Sequence, residues 1–193
     1  MTALKTAESI NINKEGNIFP YFPAFYNTIY QKLNKAVSEF FGKSYNIKFT
    51  GVSSDENILF YGEEYFVNKI SINKQTEIKI KITSELVKCL LDNTLGKSEK
   101  PFKLQKLTDL EALFIKDFTT YVKEGLSEYI NEKEINRNLI KNPKEFSFTF
   151  FFYDKKEYAG KLIITVPEYV LINISKTELQ ERFTINDFKK TKV

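Results

Sequence analysis

The stretch Phe146-Ser-Phe-Thr-Phe-Phe-Phe-Tyr153 constrains the fold of this chain more than any other. On an extended backbone Phe146, Phe148, Phe150 and Phe152 share one side, and Phe151 and Tyr153 take the other. A strand that is apolar on both faces belongs in the middle of a sheet. The turn Lys155–Gly160 leads into Leu162–Val166, which returns antiparallel and is ended by Pro167.

The rest of the chain supplies what such a sheet needs. Phe22 to Phe41 carries a broad apolar stripe at helical spacing (Phe25, Ile29, Leu33, Ala36, Val37, Phe40), with Pro23 suited to its first turn and Gly42 just past its end. Tyr45, Ile47 and Phe49 alternate with polar residues, as do Ile78, Ile80 and Ile82, and Ile58–Tyr61 and Phe66–Ile72 are further short apolar runs. Asn73, Lys74 and Gln75 make a turn between the third and fourth of these strands. A second helix begins at Ser84, buries Leu86, Val87, Leu90, Leu91 and Leu95, and stops at Gly96. A third opens on the capping box Thr108 and Glu111, with an apolar stripe of Leu110, Leu113, Phe114, Phe118, Tyr121, Val122, Leu126, Tyr129 and Ile130. The expected organisation is a tail at 1–18, one domain at 19–174 and a polar tail at 175–193. Within the domain, about six strands with helices on the sheet's faces would bury all these stripes.

Composition narrows the chemistry. The chain has 193 residues, no histidine, one cysteine and 7 glycines. Imidazole metal sites and histidine-based triads are therefore excluded, as are disulfide frameworks and thiolate zinc sites. No phosphate-cradling glycine motif occurs. Metal and cofactor sites are accordingly expected to be absent. A net charge of +4, from 29 basic and 25 acidic residues, is too balanced to indicate nucleic acid. No run approaches the roughly 18 apolar residues of a membrane span, and Met1–Asn17 lacks a signal-peptide pattern. The reading is a soluble cytoplasmic chain with Cys89 as a buried thiol.

Three strings together resemble a known family. Ser84-Glu-Leu-Val-Lys-Cys-Leu-Leu-Asp-Asn-Thr-Leu-Gly96 is similar to the helix of the flagellar motor switch protein FliM that ends in LLDxxLGG. Leu107-Thr-Asp-Leu-Glu111 resembles that family's LTExE helix start, and Phe148 through Val166-Pro167-Glu-Tyr-Val-Leu171 its closing hairpin. The resemblance spans residues 20–172. It implies the CheC-like fold: an α/β/α layered domain around a mostly antiparallel six-stranded sheet with pseudo-twofold symmetry. It also implies a protein-interaction module of the flagellar switch or chemotaxis machinery, resembling a stand-alone FliM middle domain. Partners would be proteins such as FliG or a CheY-like regulator, met at the cytoplasmic face of the flagellar basal body. Exposed edges of such a sheet would also allow a homodimer.

The departures from the family are specific. Residues 1–18 contain no CheY-binding peptide of the family type, and no ring-building SpoA-type domain follows Leu171. The family's Gly-Gly-x-Gly loop corresponds to Gly96-Lys97-Ser98-Glu99, with a single glycine. Phosphatases of the same fold orient a water with a Glu and an Asn three residues apart on one helix face. The matching positions hold Asp117 and Thr120, an acid one carbon shorter and a residue without an amide, so the alternative reading is a phosphatase of phosphorylated CheY with a degenerate site. The literal Glu128 and Asn131 pair lies at a helix end with Asp154 where the pattern requires proline, and Glu85 is matched by Lys88. Asp55, Glu56, Glu63 and Glu64 lack the spacing of a calcium loop and read as loop charges. No catalytic residue is assigned. The basic connector is the expected contact surface: Gly96, Lys97, Ser98, Lys100, Lys103 and Lys106, with the start of the third helix. A cationic surface of this kind speeds and orients docking onto an acidic face.

Overall fold

The computed structural model describes residues 22–54, 64–72, 76–97, 102–131 and 142–174. In chain order these form helix α1 (Phe22–Phe41), strands β1 (Asn46–Ser53), β2 (Tyr65–Ser71) and β3 (Glu77–Thr83), and helix α2 (Ser84–Leu95). A 3₁₀ turn (Leu104–Lys106), helix α3 (Asp109–Asn131) and strands β4 (Glu145–Asp154) and β5 (Glu157–Pro167) follow. Residues 168–174 are helical and are called α4 here. The expected strand at 58–61 and turn at 73–75 lie outside the described residues, as do the Glu63 and Asp55-Glu56 loop charges. Five strands, rather than six, are therefore seen among the described residues.

The sheet order is β1-β4-β5-β3-β2, and every neighbouring pair is antiparallel. β4 is interior, as its two apolar faces require, and β5 is central. The register places Val52, Phe49 and Ile47 of β1 beside Phe148, Phe150 and Phe152 of β4. It continues that row through Ile164 and Leu162 of β5 to Ile80 and Ile82 of β3. All of these except Phe49 and Val52 are buried. Each fully buried apolar side chain contributes about 1.5–3 kcal/mol of transfer free energy, so this face is the principal source of stability.

α1 and α3 cover that face and meet along an aromatic seam. Phe40 lies 5.4 Å from Phe114, 5.6 Å from Phe118 and 5.8 Å from Tyr121, centroid to centroid. Phe41 lies 5.2 Å from Phe118 and 5.6 Å from Tyr45. Tyr26 of α1 stacks on Phe49 of β1 at 4.4 Å. A polar tie completes the layer: Asn68 Nδ2 of β2 donates to Thr119 Oγ1 of α3 at 2.7 Å.

One expectation is corrected, and one element is new. The inward face of α3 centres on Ile115, Phe118, Val122, Leu126 and Ile130, whereas Leu110 and Leu113 are 63% and 53% exposed. Leu110 and Leu113 lie on the side of the helix turned away from α1 and the sheet, while Phe114 and Ile115 beside them pack on the core. The segment after Pro167 is helical and buries Tyr169, Val170, Leu171 and Ile174, with Asn173 Nδ2 donating to Tyr169 O at 2.5 Å. Seven residues (168–174) are too few for the helical period to show in the sequence.

Candidate contact surface

α2 is the element that delivers the connector, and its two ends are held differently. Its first turn is capped by Thr83, whose Oγ1 accepts from Leu86 N at 3.5 Å and from Lys161 N at 3.0 Å. Glu85 in that turn suits the helix dipole. β5 approaches so closely that a Cβ on Gly160 would stand 2.5 Å from Leu86 N and 2.7 Å from Thr83 Oγ1. Gly160 also has φ +135, a conformation side chains disfavour. Leu86, Val87, Leu90 and Leu91 anchor the helix body.

The last turn has no such anchor. Asn93, Thr94 and Leu95 are exposed, and Leu95, expected in the buried stripe, is 47% exposed. Lys88 pairs with Asp92 within the helix, and Thr94 Oγ1 donates to Leu90 O at 3.0 Å. Asn93 reaches further. Its Nδ2 donates to Asp154 Oδ2 at the end of β4 (2.9 Å) and to Tyr45 Oη just before β1 (3.1 Å), and it lies 3.4 Å from Cys89 Sγ. Lys43 Nζ joins the cluster, 3.2 Å from Asp154 Oδ2 and 4.6 Å above the Tyr45 ring.

The ionisation of the cluster follows from this geometry. The hydrogen bond from Asn93 is the main effect holding the Asp154 carboxyl below its ordinary value; burial opposes it, and the hydrogen bond and charge of Lys43 add to the lowering. Burial pulls the Lys43 ammonium down, but hydrogen bonds to Asp154 and Tyr45 outweigh it and leave it raised. Burial pushes the Tyr45 phenol up, and burial with the Asp154 charge pushes up the Cys89 thiol. Cys89 is half-buried rather than buried, and its raised thiol makes it a poor nucleophile.

Gly96 ends α2 at φ +93, where glycine is favoured. Gly96, Lys97, Lys103 and Lys106 are all exposed. Ser98 and Lys100 lie outside the described residues. The connector rejoins the body at Gln105, whose Nε2 donates to Glu64 Oε1 at 2.5 Å, and through Phe102, Leu104 and Leu107 packed against the core. The capping box forms as expected: Thr108 N donates to Glu111 Oε2 at 2.7 Å and Glu111 N to Thr108 Oγ1 at 3.3 Å.

Asp117 and Thr120 stand on the exposed side of α3, one turn apart. The side chains of Glu128 and Asn131 lie outside the described residues. Among the described residues no three of Cys, Asp and Glu gather into a group able to hold a metal. No described helix is long and apolar enough to cross a membrane. The Asn93 cluster was missed from sequence; the only hint was an amide next to the apolar stripe of α2.

This five-stranded antiparallel sheet with two long helices on its phenylalanine face defines the FliM-middle-domain class of fold. No family model matches the chain, and no curated protein matches it either. Solved structures do. A chain of the FliG–FliM complex from H. pylori matches with a TM-score of 0.61 at 14% identity, over 80% of this chain and 97% of that one. The FliM middle domain from H. pylori gives 0.51 at 13%, over 82% and 97%. FliY from Thermotoga maritima gives 0.56 at 11%, over 77% and 88%. The resemblance of the three sequence strings and the fold thus agree.

Proposed function

We propose that this chain is a protein–protein interaction module of a flagellar motor switch or chemotaxis assembly, in the manner of a FliM middle domain. The observation that carries the reading is the fold likeness to a chain from a FliG–FliM complex over nearly the whole of that chain. The hairpin-then-helix runs β2–β3–α2 and β4–β5–α4 are read as the related halves of a pseudo-symmetric domain. The partner is a switch protein of the FliG kind or a CheY-like regulator, met in the cytoplasm beside the basal body. The contact surface is Gly96, Lys97, Ser98, Lys100, Lys103 and Lys106 with the start of α3. Lys97, Lys103 and Lys106 are exposed, which suits an acidic partner face. The single glycine makes the contact different in detail from that of a Gly-Gly-x-Gly loop. The phosphatase reading has less support, since Asp117 and Thr120 lack both the reach of Glu and the amide of Asn.

The test is a pull-down of FliG from the same organism with the purified chain. Wild type retains FliG, and the combined Lys97→Glu, Lys100→Glu and Lys103→Glu variant loses it. Retention by the folded triple variant overturns the surface; no retention by wild type overturns FliG as the partner.

A further inference from the structure

We infer that Asn93 is the positioning residue of the connector, holding the exit of α2 so that Gly96 and Lys97 leave the domain at a fixed place. The inference rests on the proposal that the connector is the contact surface. The body of α2 is fixed by Leu86, Val87, Leu90 and Leu91, but its last turn is exposed and buries no side chain of its own. The polar contacts of Asp92 and Thr94 stay inside α2. Asn93 crosses instead to two other elements, 61 residues away at Asp154 and 48 residues away at Tyr45. Those two acceptors stand at the end of β4 and just before β1, which are neighbours in the sheet, so the tie refers the end of α2 to a rigid edge. Only two residues, Thr94 and Leu95, separate Asn93 from Gly96. An amide suits the place because its N–H₂ group carries two hydrogens for an oxygen on each strand. A carboxylate there would face Asp154 with no hydrogen to give. Lys43 Nζ donates to the same Oδ2 of Asp154 and keeps the acceptor charged. Order in the connector before binding lowers the entropic cost of docking.

Two measurements separate this from a general stabilising role. Amide hydrogen exchange of the free full chain reads the connector without any partner. In Asn93→Ala, exchange at residues 94–97 should rise about tenfold, the loss expected for one or two hydrogen bonds, while β4 and β5 keep wild-type protection. Asn93→Asp should loosen the same residues at least as much. FliG affinity should fall by roughly threefold to tenfold in both variants with the melting temperature nearly unchanged. Unchanged exchange at 94–97 overturns the inference whatever the binding result. So does exchange that rises equally in β4 and β5, which would make Asn93 an ordinary stabilising residue. If exchange rises locally and affinity does not fall, while the triple lysine variant still loses FliG, positioning is overturned and the contact surface stands. If the triple variant still binds, the surface reading itself has failed, and the exchange result then bears on Asn93 alone.

Discussion

The two ends of α2 obey different rules. At its start, backbone touches backbone: Gly160 leaves no room for a methyl group, and Thr83 Oγ1 serves two N–H donors. At its end, the helix stands in water and is steadied by one amide on two strands. The first end is held by shape and tolerates little change. The second is held by polar contacts and can be altered without loss of the fold. The contact loop proposed here would be served by that arrangement, because its sequence could adapt to a partner while the domain beneath it stays intact.

The contrast can be broken or sharpened by substitution. Gly160→Ala should have the largest effect, about 4 kcal/mol or more, since the new methyl meets backbone at a positive φ. A shift in urea midpoint worth less than half of that would show that β5 and α2 can separate cheaply. Leu90→Ala, in the buried body, should cost about 3 kcal/mol by the same assay. Thr83→Ala should cost about 2 kcal/mol, because a cap is lost and Lys161 N is left without its acceptor. Leu95→Ala, at the exposed end, should change stability by less than about 0.5 kcal/mol. A large loss at Leu95 would erase the distinction between the ends.

The smallest effect is a pH dependence. Asp154 is held below its ordinary value of 3.8 in the folded chain, so the unfolded chain binds its proton more readily. The stabilisation is therefore complete above the ordinary value and is lost as pH falls through the depressed one. Asp154 is partly exposed, which keeps the contribution small. Titrating the Asp154 carboxyl by NMR should show its midpoint rise in Asn93→Ala, the donor that lowers it most having been removed. A midpoint that stays put would assign the depression to Lys43 instead.

Much of this was legible in the sequence. The double-faced phenylalanine strand fixed β4 as an interior strand, and its hairpin partner followed from the turn and Pro167. The capping box at Thr108 was readable because both of its partners lie within one helical turn. The span of α3 was also right, but which of its sides faces inward was not. Leu110, Leu113 and Ile115 are equally apolar, and only the position of α1 and the sheet decides that Ile115 is covered.

By itself, then, the sequence determined the order of the three long helices and of the strands seen between and after them, the interior place of β4, the exclusion of histidine chemistry and where along the chain the basic connector falls. These are properties of local spacing and composition. The tertiary structure alone decided what Gly160 and Asn93 are for. Gly160 is required by a helix that follows a different strand, and Asn93 by two acceptors 48 and 61 residues away. Contacts between residues so distant leave no periodic trace along the chain, because they depend on how strands order in the sheet rather than on the spacing of neighbours.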